Sequence, residues 1–175
     1  MASASPLFSE MENTTSRVWV SQVKDVWEPA EVLNRTQTTA ELLISRTTKH
    51  SEGAPVSKTA VRVTVELSKV SIVPRNPAQL EGGDDLVKLQ FLDEPNIMHN
   101  LEIRYEAEKI YTSTGPILIA INPWKELSIY GRDYMEKYKD HVVRHENERL
   151  PPHVYAVADS AYRDMLRTGR GQSIL

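Results

Sequence analysis

Cysteine is absent from the chain, which excludes disulfides and thiolate metal sites and fits a reducing compartment. Long apolar runs are missing too. The longest uninterrupted one is Ile117–Ile121, far short of a membrane span, and the opening M-A-S-A-S-P-L-F-S-E has neither the basic end nor the apolar core of a signal peptide. The expectation is a cytoplasmic protein with no membrane span. No excess of basic charge is present: the net charge is −3, with Lys and Arg scattered singly, so no nucleic-acid partner is expected. Glycine is scarce, and none of the seven stands in a G-x-x-x-x-G-K-[ST] phosphate loop. No serine has the neighbours of a nucleophile. His141 and His145 lie four apart, but without an intervening H-E-x-x-H glutamate or an evident third ligand. The segment from His141 to Arg149 therefore reads as a charged, solvated loop, and no metal site or catalytic residue is expected.

What is present is enough apolar residue for a core, 40% of 175 residues. Residues 1–15 are small, polar and aperiodic, and are expected to be disordered. From 16 to 73 come short apolar segments with turn residues between them: Val18–Val20, Ala30–Leu33, Ala40–Ile44, Val61–Val65 and Val70–Val73. Their even spacing predicts a small antiparallel β-barrel. Trp19 and Trp27 are either a peptide-docking pair or, for at least one of them, core packing. Lys49–Thr59 reads as a polar loop, and 74–84, with Gly82-Gly83, as a linker at a domain boundary.

The remainder, 85–175, alternates helix and strand signals. Asp85 is placed to cap a short helix, Leu86–Leu92, broken by Glu94-Pro95; a second helix from about Ile97 to Glu106 presents Ile97, Leu101 and Tyr105. Ile110–Thr112 pairs with a buried strand, Ile117–Ile121, through a turn at Ser113–Pro116, and Pro123 ends that strand where Asn122 emerges. From spacing alone this is a core hairpin followed by a loop. Asp133–Lys139 reads as a short helix with Tyr134 and Tyr138 one turn apart. Pro151-Pro152 opens a helix of about four turns with an apolar stripe from Val154 to Leu166, an Asp159–Arg163 pair on its outer face and Gly169 as C-cap.

Several of these stretches together resemble the start of a myosin motor domain: I-Y-T with Gly115, then A-I-N-P-W-K and Tyr130-Gly131; D-L with Leu89, Leu92, Glu94-Pro95, H-N-L and Arg104-Tyr105; and P-P-H-V-Y-A-V-A-D-S-A-Y from Pro151. The segments R-V-W-V and W-E-P-A-E-V resemble the Src-homology-type barrel that precedes many myosin motors. The resemblance implies a mixed α/β chain: a small N-terminal Src-homology-type β-barrel, then the first helices and strands of a P-loop ATPase motor core whose mixed sheet is incomplete here. It also implies that Asn122, Pro123, Trp124, Lys125 and Tyr130 surround the adenine and sugar of ATP. Ser128 stands where many myosins carry proline. In the family a Q-S-I-L-like strand is followed at once by the phosphate loop, so Gln172–Leu175 is expected to lie one step before it. The phosphate and Mg²⁺ contacts are then not in this chain, and the isolated 175 residues are not expected to hydrolyse ATP. For the complete motor the resemblance implies actin filaments as partner, light chains or calmodulin at a neck, and a cytoskeletal location. The rival reading is a non-catalytic interaction protein that uses its small barrel and retains a motor-like remnant.

Overall fold

Alternation of apolar and polar residues shapes the first part of the computed structural model, which describes residues 17–23, 26–48, 57–139, 141 and 149–174. The chain is mixed α/β and divides into two compact units between Asn76 and Pro77. In the first, β1 (Arg17–Val23), β2 (Val26–Arg35), β3 (Thr39–Thr48), β4 (Ser57–Glu66) and β5 (Ser71–Pro74) form an antiparallel sheet in the order β4-β3-β2-β1-β5. Val18 and Val20 of β1, Ala40, Leu42 and Ile44 of β3, and Ala30 and Val65 recur at period two and make its core. Trp19 is buried as well, with the Arg75 guanidinium 4.6 Å from its ring centroid. Trp27 is half-buried rather than displayed beside it.

Among the described residues no ladder joins β4 to β5, so the ladders describe a five-stranded sheet and not a closed barrel. Register shifts between Val20 and Val23 and between Val32 and Asn34 curl the sheet. The strands outrun their apolar centres: β4 takes in Lys58 and Thr59, which the sequence assigns to a loop, because backbone pairing with β3 extends to Ser57 whatever the side chains. Residues 1–15, most of the polar segment 49–56 and the histidine-bearing 142–148 lie outside the described residues.

Among its described residues the second unit contains a 3-10 turn (Leu86–Lys88), α1 (Glu94–Glu106), the hairpin β6 (Tyr111–Thr114) and β7 (Ile117–Ala120), α2 (Arg132–Tyr138) and α3 (Val154–Thr168). Two helix expectations need correction. Asp85 does cap its helix, accepting from Val87 N–H at 3.3 Å, but that helix ends after one turn and Leu89 is already extended. Pro95 does not separate two helices either; it sits in the first turn of α1, where it has no intrahelical partner to lose, behind Asp93 as N-cap. The hairpin turn is also tighter than expected, with Ser113 and Thr114 in the strand and Gly115-Pro116 as a two-residue loop. Gly115 stands at φ 59, open to glycine at little cost.

Burial departs most from the sequence pattern. β7 was expected to be interior, yet Ile117 is 64% exposed, and α3 has no buried residue although Gly169 closes it in the left-handed conformation as expected. The apolar stripe of α3 faces outward at Tyr162 and Leu166, while the Asp159–Arg163 pair, expected on the outer face, is partly covered at 2.6 Å.

Candidate functional site

The inward face of α1 is polar. Asn96, Asn100 and Arg104 recur every four residues and are buried, whereas Ile97 and Leu101 are half-buried and Tyr105 is exposed. Asn100 Nδ2 donates to the Gly83 carbonyl at 3.0 Å, and its Oδ1 is buried without a partner. The Arg104 guanidinium, 5% exposed as a residue, donates from Nε to Thr112 Oγ1 (2.8 Å), from Nη1 to the Gly82 carbonyl (3.2 Å) and from Nη2 to the Tyr111 carbonyl (2.7 Å). Burial pushes its pKa down, and the Asp84 carboxylate opposes that. One side chain therefore ties the 82–83 segment, α1 and the hairpin together. Asp85 adds a second tie: Oδ1 accepts from Gly115 N–H at 3.1 Å, and Arg149 Nη1 lies 3.6 Å from Oδ2.

That framework carries the Asn122–Tyr130 loop at its edge. Ile121 N–H donates to the Ile110 carbonyl, which continues the hairpin to the residue before Asn122. Asn122 Oδ1 then accepts from Trp124 N–H at 2.9 Å, an Asx turn that holds Trp124 at φ 52. The indole is 87% exposed. The end of α1 supports this turn from behind: Tyr105 Oη donates to the Pro123 carbonyl at 3.3 Å, and Lys125 Nζ meets Glu108 Oε1 at 2.5 Å. At the far end of the loop Tyr130 and Tyr111 share a hydroxyl hydrogen bond of 2.9 Å. Burial, and then that bond, push the Tyr111 pKa well up.

Under the far end lies His153, 3% exposed, which the sequence offered only as part of the Pro-Pro-His run before α3. Five of the seven tyrosines surround its ring: Tyr155 at 4.7 Å between centroids, Tyr138 at 4.9 Å, Tyr111 at 5.1 Å, and Tyr130 and Tyr134 at 5.8 Å. The ring is thus packed among aromatics rather than set among the carboxylates a metal ligand or catalyst would use. Burial pushes its pKa below the ordinary imidazole value; the bond to the Ile129 carbonyl works against this and the Lys137 ammonium adds to it. The structure gathers Asn122, Pro123, Trp124, Lys125 and Tyr130 into one loop held at both ends. Sequence reasoning did not identify the supports, Arg104, Glu108 and His153. Among the described residues no group of three His, Asp or Glu side chains could hold a metal ion, and no helix is long and apolar enough to cross a membrane.

Residues 83–175, more than half the chain and all of the site just described, match the family described as the myosin head, or motor domain. The chain belongs to the myosin head family. It is 44% identical over 111 residues to Myosin-1 of Arabidopsis thaliana, covering 63% of this chain and 9% of that protein. Against the Myosin-J heavy chain of Dictyostelium discoideum it is 40% identical over 158 residues, 90% of this chain and 6% of that one. Against unconventional myosin-Va of Gallus gallus it is 36% identical over 168 residues, 95% of this chain and 9% of the relative. The likeness to myosins therefore reaches back through the five-stranded sheet, and the chain spans less than a tenth of each of these three relatives.

Proposed function

We propose that this chain is the opening part of a myosin motor and that its Asn122–Tyr130 loop is the wall against which the adenine of ATP rests. Trp124 carries the reading: a large indole, 87% exposed, on a turn already fixed by Asn122. An aromatic face held open to solvent suits a planar base. The donors beside it suit a purine edge. With Asn122 Oδ1 engaged, its Nδ2 remains to donate, and the Tyr111–Tyr130 pair uses only one of its two hydroxyl protons internally. Lys125, its Nζ paired with Glu108, lies on the same turn and would face the adenine and its sugar.

In the complete motor, hydrolysis of Mg-ATP would drive movement on actin filaments in the cytoskeleton, with light chains or calmodulin at a neck. Phosphoryl transfer depends on groups that surround the transferred phosphate, and this chain has no G-x-x-x-x-G-K-[ST] loop to supply them. The five-stranded sheet would be the Src-homology-type module, with 74–84 the linker to the motor segment that begins at 85.

The test is to titrate the isotopically labelled chain with adenosine, ADP and GTP while following the Trp124 indole and Tyr130 ring resonances. Adenosine and ADP should move both sets of signals alike, with millimolar affinity, because the base makes the contact. Movement by phosphate-bearing ligands only, with adenosine silent, would sink the reading.

A further inference from the structure

Both nitrogens of the His153 ring are committed. Nδ1 accepts from Tyr155 N–H at 3.1 Å, which makes the histidine the N-cap of α3 and leaves Nδ1 without a proton. The proton therefore sits on Nε2, which donates to the Ile129 carbonyl at 3.0 Å. Tyr155, whose amide is capped, returns its own hydroxyl to the next loop carbonyl, that of Tyr130, at 2.8 Å. Two consecutive carbonyls at the far end of the loop are thus held by His153 and by the residue it caps.

We infer that His153 is a positioning residue for the Asn122–Tyr130 loop, one neutral imidazole that fixes the end of the loop and the start of α3 together. Its placement makes the arrangement sensitive to protonation. A second proton would go to Nδ1, where an N–H would face the Tyr155 N–H it now accepts from, and the imidazolium would stand at the positive end of a 15-residue helix. The titratable and charged groups that face the ring among the described residues are Tyr111 from β6, Tyr130 from the loop, Tyr134, Lys137 and Tyr138 from α2, and Tyr155 from α3. No carboxylate is among them, and the Lys137 ammonium opposes a second positive charge, so these groups offer the imidazolium no ion-pair partner. Acidification should therefore release the Tyr155 N–H from its cap and with it loosen the Tyr155 hydroxyl's hold on the Tyr130 carbonyl, while the Nε2–H bond to Ile129, which favours the charged ring, persists. The consequence for nucleotide rests on the adenine-wall reading; the coupling itself does not.

The experiment uses the full chain, labelled for NMR, taken from about pH 8 to about pH 5. Three signals are followed: the His153 Cε1–H shift, the protection factor of the Tyr155 amide, and the carbonyl carbon shifts of Ile129 and Tyr130. The expected result is that His153 titrates below the histidines of the urea-unfolded chain, and that protection of Tyr155 falls about five- to tenfold, the size of a lost N-cap, in step with movement of the Tyr130 carbonyl, while the Ile129 carbonyl stays hydrogen-bonded. His153→Asn, which can cap without titrating but is too short to reach Ile129, should keep Tyr155 protected throughout. It should show a displaced Ile129 carbonyl shift at every pH. The inference is overturned if His153 titrates without moving the Tyr130 carbonyl, or if the Asn variant responds to pH as the parent does. Adenosine added at both ends of the range separates the two proposals: its silence at high pH, with the Tyr130 carbonyl still tracking His153, removes the adenine wall and leaves the coupling.

Discussion

Replacing Arg104 tests whether a buried guanidinium organises the second unit. Arg104→Met keeps the length of the stem and removes the three donors that reach Thr112, Gly82 and Tyr111 at 2.8, 3.2 and 2.7 Å. Hydrogen bonds from a charged donor contribute about 1.5–3 kcal/mol each, and they are not additive. Methionine also avoids the cost of desolvating the cation, which is large enough here to lower the arginine pKa. The deletion nevertheless orphans neutral acceptors that remain buried or partly buried, each costing about 1–3 kcal/mol when unsatisfied, so a net loss of about 3–4 kcal/mol is expected. Arg104→Lys should lose less, about 2 kcal/mol, because one ammonium retains the charge and cannot span three divergent acceptors. Amide exchange of the Tyr111–Thr114 and Ile117–Ala120 segments, read by mass spectrometry on the full chain, is the assay. The Met variant should exchange faster by a factor of about 10²–10³, limited by the unfolded-chain rate, and the Lys variant should lie between. A Met variant within about 1 kcal/mol of the parent would refute the reasoning and assign the polar face of α1 to local solvation.

Gly82→Ala should destabilise the same unit by about 1–3 kcal/mol in urea melts, since a non-glycine residue is strained at positive φ; Gly82 is at φ 75 and its added Cβ would stand 2.9 Å from Ile103 Cγ2. The stability of this unit should also depend on His153. Its folded pKa is lowered from 6.5, so between the lowered value and 6.5 the unfolded chain binds more protons. The contribution is complete above 6.5 and is lost as pH falls through the folded value; urea midpoints of parent and His153→Asn should converge on acidification, and parallel midpoints would contradict the assignment. Ile117→Lys combined with Leu166→Lys, at side chains 64% exposed in both cases, should suppress concentration-dependent light scattering without changing far-UV circular dichroism. In the first unit Leu42→Ala, at a fully buried position, should cost about 2–5 kcal/mol by Trp19 emission, against less than 1 kcal/mol for an exposed site.

The strands of the first unit were legible because period-two alternation and one-sided burial say the same thing at Val18, Val20, Ala40, Leu42 and Ile44. Sheet closure was not, since it depends on pairing between strands far apart in the chain, which the even spacing of apolar segments does not encode. In the second unit the helix ends at Asp85 and Gly169 were readable, each acting through its own local backbone, whereas the Asp93 cap was passed over because Glu94-Pro95 reads as a helix break. The length of the Leu86 helix was misjudged because an every-third-residue apolar pattern fits a 3-10 turn and extended chain as well as a longer helix. Arg104 and Asn100 were missed because a search for apolar stripes passes over a buried polar one, although their spacing with Asn96 was visible. His153 had a weak sign, a hydrogen-bond acceptor just before an amphipathic helix, but its five aromatic neighbours come from four separate segments. The Asn-Pro to Tyr pattern proposed the residues of the loop through resemblance alone, whereas the exposure of Trp124 and its Glu108-backed neighbour needed coordinates.

The Asx turn at Asn122 has a kinetic consequence. A residue other than glycine in the left-handed region costs about 1–2 kcal/mol, and here the fold meets that cost before any ligand arrives, through one side-chain bond to Trp124 N–H. On the adenine-wall reading proposed above, a planar ligand would meet a surface that needs no rearrangement, and the ordering entropy charged to flexible recognition loops would not enter its association. Encounter on such a surface is limited by diffusion and orientation, so differences in affinity between ligands should appear in how fast they leave. Asn122→Ala would transfer the cost of shaping the turn from folding to binding, and the first sign would be a slower arrival.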